Sequence, residues 1–273
     1  MIDAHFHIWR LDRGDYGWLT PKLGGIYRDV SLQDWREQSR PCGVRAGILV
    51  QAAPSAAETE FLLEQATGAA DVLGVVGWTE LLASDASAAI EALAGRGKLR
   101  GLRPMLQDIA DPLWMLQPGL APALRAMERH HLVFDALIKP LHIQALLTLA
   151  LRHPGLVMVI DHAAKPNIKQ GEWNDWAAGL TRLARETSAT CKLSGLWTEA
   201  GRTAPLASLN RYASHVLDAF GPERVIWGSD WPVLELAGNY PQWLAHAQSL
   251  IPLEQREKVF GGNARRVYGL ASR

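Results

Sequence analysis

The chain has 273 residues, 48% hydrophobic and 21% charged, with 28 basic and 28 acidic side chains that leave no net charge. A balanced charge without a basic stripe excludes an electrostatic footprint for nucleic acid. No apolar run approaches the ~20 residues of a membrane span. Met1 leads directly into a strand-like run with no secretory leader. Cys42 and Cys191 stand alone, without a C-x-x-C, so neither a disulfide framework nor a structural zinc knot is indicated. The expectation is a cytoplasmic protein of enzyme size, one domain over 1–273, monomeric or homodimeric.

Apolar, β-rich runs recur at 2–9, 46–51, 72–79, 99–106, 131–138, 156–162, 189–195 and 225–230. Most are continuous rather than alternating, as parallel strands covered on both faces require. Helix-like stretches separate them at 31–39, 55–67, 84–93, 143–151, 174–185, 206–220 and 242–250, the first three opening on a serine cap. Eightfold alternation predicts an α/β fold, a single (β/α)8 TIM barrel, for which about 250 residues is typical. An open doubly wound sheet is the competitor, but no G-x-G-x-x-G follows any strand. Two long connections, 10–30 and 163–173, are candidate lids. Tyr16, Trp18 and Tyr27 in the first and Trp173 in the second could roof a small ligand, or simply pack the loops down.

The first strand reads Ile2-Asp3-Ala4-His5-Phe6-His7. Strict alternation places Asp3, His5 and His7 on one face and Ile2, Ala4, Phe6 and Ile8 on the other. Buried imidazoles are costly unless something binds them. In a barrel of this kind the active site lies at the C-terminal ends of the strands. Polar residues late in strands are His5 and His7, Arg103, His162, Lys192 with Ser194, and Asp230. Each has a plainer reading: Asp230 as a helix cap, His162 in a core pair with Asp161, Lys192 as a salt-bridge partner of Asp135 or Asp230, Arg103 in a structural ion pair. Their convergence from distant strands on one mouth outweighs any single residue.

The opening D-A-H-F-H resembles a known pattern, and so do Asp161-His162-Ala163-Ala164-Lys165-Pro166, Lys192-Leu193-Ser194-Gly195-Leu196, Gly228-Ser229-Asp230-Trp231-Pro232 and Asn263-Ala264-Arg265-Arg266-Val267-Tyr268. In this order they resemble the amidohydrolase superfamily, and within it the sugar-lactone hydrolases of the L-fuconolactonase and L-rhamnonolactonase group. Two-metal members carry a bridging lysine after the fourth strand and a histidine after the fifth. Here the fourth strand offers Arg103 and the fifth has no histidine. The resemblance therefore implies at most one divalent metal, a Zn2+ on His5, His7 and Asp230, or none strictly required.

The activity it implies is hydrolysis of an aldonolactone in sugar catabolism, with Asp230 as base toward water and His5, His7 and His162 orienting that water and polarising the carbonyl. Arg103, Trp197 and Trp231 are candidates for gripping the sugar, and Lys192 for carrying developing negative charge. The alternatives are a metal-dependent decarboxylase of the same superfamily and a barrel that binds a sugar acid without turnover.

Overall fold

In the computed structural model, which describes residues 1–270, eight parallel strands pair in the order in which the chain makes them. They are β1 (Ile2–Phe6), β2 (Ala46–Val50), β3 (Val72–Gly77), β4 (Leu99–Leu102), β5 (Val133–Ala136), β6 (Met158–Ile160), β7 (Thr190–Leu193) and β8 (Val225–Trp227). The ring closes just beyond the strand ends. Phe6 bridges Trp231 in parallel, the Asp230 N–H donates to His5 O at 2.8 Å, and the His7 N–H donates to Trp231 O at 2.8 Å. The barrel expected from the alternation is the fold observed.

The covering helices are α1 (Leu32–Ser39), α2 (Ala56–Ala66), α3 (Ala86–Ala94), α4 (Ala121–Arg129), α5 (Ile143–Arg152), α6 (Asn174–Glu186), α7 (Leu196–Ala200), α8 (Asn210–Phe220), α9 (Tyr240–Leu250) and α10 (Asn263–Val267). Ser31 and Ser55 cap α1 and α2 by accepting the backbone N–H three residues on. The third serine does not: Asp85 stands at that position, without a side-chain cap bond. No sequence-based helix corresponds to α4, whose start is obscured by Pro118 and Pro122. Pro122 lies in the first turn, where a missing N–H costs nothing. Among the described residues, no helix is long and apolar enough to cross a membrane.

Ile2, Ala4, Ile48, Val50, Val133 and Val159 belong to one apolar cluster. Side chains from strands so far apart around the ring can meet only inside it, so this is the interior plug. Ala4 therefore faces inward, against the expected alternation. The pairing of β1 with β2 shifts between Asp3 and Phe6, and this irregularity swaps the faces. Asp3 points to the helices, accepting from Trp35 Nε1 at 3.1 Å and Tyr240 Oη at 2.9 Å, while Phe6 stacks on Trp35 at 4.1 Å. His5 and His7 remain inside.

Candidate active site

Above the apolar plug lies a layer of buried charge. Lys192, fully enclosed, places Nζ 2.7 Å from Asp135 Oδ2 and 2.9 Å from Asp161 Oδ1. Asp161 Oδ2 also accepts from Arg103 Nη1 at 3.2 Å. Burial would raise the Asp161 carboxyl, but Lys192 and then His5 and Arg103 hold it well below the usual carboxylate range. Asp135 has a weaker set of partners. Burial, opposed by Lys192 and reinforced by the charge of Asp161, pushes it up to about 6. Tyr268 reaches in from the C-terminal side of α10 and donates to Asp135 Oδ1 at 2.7 Å.

The mouth is the next layer. Asp230 Oδ1 stands 3.3 Å from His7 Nε2, 3.7 Å from His5 Nε2 and 3.7 Å from His162 Nε2. Burial would raise this carboxyl too, yet His162, His7 and His5 together hold it below its ordinary range, so it is ionised at neutral pH. Burial pushes His162 down to about 4 and His5 well below its ordinary value, the latter assisted by the charge of Lys192. His162 and His5 therefore face the carboxylate uncharged. His7 Nδ1 lies 2.8 Å from Val50 O, which can only accept, so that nitrogen carries the proton and Nε2 is turned to the mouth. His162 Nδ1 pairs with Ser194 Oγ at 2.9 Å.

Backbone shape aims these groups. His162, Ala163, Ala164 and Lys165 have φ of 51°, 52°, 59° and 48°, a left-handed turn built without glycine. Such a turn costs about 1–2 kcal/mol per residue. It is held by Trp176 Nε1 donating to Ala163 O at 2.7 Å and by a Lys165–Glu199 ion pair at 2.9 Å. The turn carries His162 past the end of β6 and over the barrel. Gly195 and Gly228 are required where they stand, because a Cβ would lie 2.7 Å from the His162 ring and 2.7 Å from His5 Cβ, respectively.

A cavity of about 340 Å³ opens over the mouth, with His7, His162, Asp230 and Arg103 at its base. Trp18, Leu23, Val233 and Leu236 supply apolar wall, and Gln107, Asp108 and Lys165 supply polar wall. A larger cleft of about 410 Å³ lies around Met1, Arg45 and Arg265. It is at the opposite end of the barrel from the strand C-termini and contains no imidazole.

Sequence reading and structure part company at several residues. Lys192 follows its plainer reading, a salt bridge to Asp135, and not the substrate role, because Asp135 and Asp161 both claim its ammonium and it does not line the cavity. Trp231 is fully buried with its indole on Glu235 Oε1 at 2.7 Å, and Trp197 is packed under Gly238, so neither reaches the cavity to grip a sugar. Trp173 is drawn away to Trp176, Tyr212 and the guanidinium of Arg211, and Tyr27 points to solvent. Only Trp18 of the proposed aromatic roof lines the cavity, its indole N–H donating to Ala52 O at 2.7 Å. Residues not singled out from sequence are Gln107, Asp108 and Lys165 on the wall and Gln51 below. The Gln51 amide donates to Arg103 O at 2.8 Å, and Gln51 O accepts from Arg103 Nη2. A glutamine at the end of an otherwise apolar second strand was the available signal.

The donor set has the spacing of a divalent-ion site. Zinc at about 2.1 Å from each ligand in a tetrahedron places ligand atoms ~3.4 Å apart, near the 3.3 and 3.7 Å that separate His7 and His5 from Asp230. His5, His7 and Asp230 form one group with metal-ligand spacing, and His5, Asp161 and His162 form another. The His7 Nδ1 bond to a carbonyl is the outer-shell contact that metal-bound imidazoles commonly make. Arg103 Nη1, 3.3 Å from His5 Nε2, is the competing partner of that nitrogen. The residues fit one ion, with His7 and Asp230 the least encumbered ligands.

A closed parallel barrel with imidazoles and a carboxylate at its C-terminal mouth defines a hydrolase-type site. An amidohydrolase family model matches residues 2–270, and the chain belongs to that family. An L-fucono-1,5-lactonase of Burkholderia ambifaria is 45% identical, the alignment covering 98% of this chain and 94% of that protein. A second L-fucono-1,5-lactonase, from Burkholderia multivorans, is 34% identical, with 98% and 96% covered. An amidohydrolase from Burkholderia multivorans, solved with bound zinc, superposes with a TM-score of 0.92 at 35% identity over 99% of each chain.

Proposed function

We propose that this enzyme hydrolyses a sugar lactone of the L-fucono-1,5-lactone type to its aldonic acid. The observation that carries the proposal is the ionised Asp230 carboxylate ringed by three imidazole Nε2 atoms at the base of a cavity of sugar size. Support comes from the lactonase relatives at 45% and 34% identity, which also weigh against the decarboxylase and binding-only alternatives.

In the proposed reaction a water oxygen adds to the lactone carbonyl carbon while Asp230 takes its proton. The carbonyl oxygen becomes negative and is met by Arg103, the one guanidinium among the described residues lining the cavity. Collapse breaks the bond to the ring oxygen, which leaves as a hydroxyl after receiving from Asp230 the proton taken from the water. His162 and His5, uncharged, position the water. A divalent ion held by His5, His7 and Asp230 would supply polarisation of that water, lowering its pKa toward ~7. Trp18 and Leu23 cover the ring, and Gln107, Asp108 and Lys165 face its hydroxyls.

The test is a panel of 1,4- and 1,5-aldonolactones of both hands, followed with a pH indicator before and after exhaustive chelation verified by elemental analysis. L-Fucono-1,5-lactone and its stereochemical neighbours are expected to release acid. Carbon dioxide from aromatic acids, or tight binding with no product, would overturn the proposal. Full turnover by metal-free protein would leave His5 and His7 only the positioning of water and substrate.

A further inference from the structure

The roof of the site depends on a carboxylate that never meets the cavity. Glu58, in the first turn of α2, is fully buried. Its Oε2 accepts from Tyr16 Oη at 2.5 Å and its Oε1 accepts from the Ala52 N–H at 3.1 Å. Arg13 places Nη2 3.6 Å from Oε2 and its guanidinium 4.6 Å over the Phe61 ring. Asp15 accepts from Arg13 Nη2 at 2.8 Å and from Ser55 Oγ at 2.7 Å. Three residues of the 10–30 segment thus grip the start of α2.

The grip reaches the cavity through one residue. Glu58 holds the Ala52 N–H, and Ala52 C=O accepts the Trp18 indole N–H at 2.7 Å. Ala52 and Trp18 both line the cavity, as does Leu23 farther along the segment. Trp18 is 38% exposed, so burial alone does not fix it. The indole bond fixes one side, and the Leu19 N–H donating to Tyr16 O at 3.0 Å ties the other to the tethered tyrosine. A buried carboxylate is costly unless its hydrogen bonds are made, and here both oxygens bind groups that place the roof.

We propose that Glu58 is a positioning residue for substrate, holding Trp18 and Leu23 over the cavity through Tyr16 and Ala52 so that a polyhydroxylated lactone ring is enclosed above Asp230. The identity of the substrate rests on the lactonase reading; the grip on the segment does not.

The experiment is a mutant cycle with two readouts. Glu58→Gln, Tyr16→Phe, Trp18→Ala and the Glu58→Gln/Trp18→Ala double variant are assayed on L-fucono-1,5-lactone. Each is also digested with trypsin well below its Tm, because Arg10, Arg13, Lys22 and Arg28 lie in the segment. Tyr16→Phe and Glu58→Gln are expected to raise KM about five- to tenfold with kcat within about twofold, the effect of one or two lost hydrogen bonds. Cleavage within 10–30 should quicken in both. With Trp18 already removed, Glu58→Gln should add no further rise in KM.

An equal rise in both backgrounds, a fall in kcat alone, or unchanged KM and unchanged cleavage overturns the proposal. Should Glu58→Gln fail to fold, Tyr16→Phe with and without Trp18→Ala completes the same cycle. Wild-type protein inactive on every lactone would defeat the lactonase reading, and cleavage would then decide the grip by itself.

Discussion

Asp161 inside the barrel and Glu58 beneath the roof are both carboxylates with no exposure, yet they titrate in opposite directions. Burial alone raises both. Lys192 at 2.9 Å, with His5 and Arg103, outweighs it at Asp161, whose carboxyl is held well below the usual range. Glu58 has a hydroxyl and an amide as close donors and Arg13 only at 3.6 Å, and burial pushes it up to about 7. The difference teaches what each region is built for. In the interior layer, cations packed against Asp161 keep that carboxylate ionised despite its burial. The roof carboxylate is held at closest range by a hydroxyl and a backbone amide, with its cation farther off.

Breaking the interior framework should have the largest effect. Lys192→Met leaves Asp135 and Asp161 without their shared cation, and about 3–5 kcal/mol of stability should be lost in urea unfolding. A loss below about 1 kcal/mol would mean the layer is no more critical than the roof. Next is Asp230→Asn, which should lower kcat at least ~100-fold, about 2.7 kcal/mol, with the fold intact by circular dichroism. Turnover near that of the wild type would remove Asp230 from the chemistry.

The roof carboxylate is tested through pH. Glu58 binds its proton near pH 7 when folded, against an ordinary value of 4.5. Between those values the folded state holds more protons than the unfolded state, so the Glu58 contribution to stability is complete below about 4.5 and is lost as pH rises toward 7. Relative to Glu58→Gln, wild-type Tm should therefore fall across that window, as calorimetry at successive pH values would show. A parallel pair of curves would mean Glu58 titrates as an ordinary exposed carboxyl. The smallest effect is expected from Tyr268→Phe. One donor to Asp135 is lost while Lys192 remains, and about 1 kcal/mol should disappear from the unfolding free energy.

Much of this was legible before folding. Continuous apolar runs with capped helices between them announced the barrel, and His5, His7, His162, Arg103 and Asp230 could be placed because strand ends in that fold share one mouth. The errors have physical causes. Alternation failed at Ala4 because a pairing irregularity in β1 is invisible in composition. Trp197 and Trp231 were placed in the site because an indole suits a core and a sugar face equally, and only packing distinguishes them. For Lys192 the salt bridge to Asp135 was read as one of two possibilities, and only the folded chain adds Asp161 and decides against a substrate role.

The local chemistry of the chain was enough for architecture, family resemblance and the polar residues of the mouth, since these follow from periodicity and from motifs short enough to read in one dimension. Partnerships were not. Which carboxylate is ionised, which tryptophan meets the cavity and which loop Glu58 restrains all depend on groups tens or hundreds of residues apart. Charge at those distances is governed by burial and proximity in the folded chain, and neither quantity exists until the barrel closes.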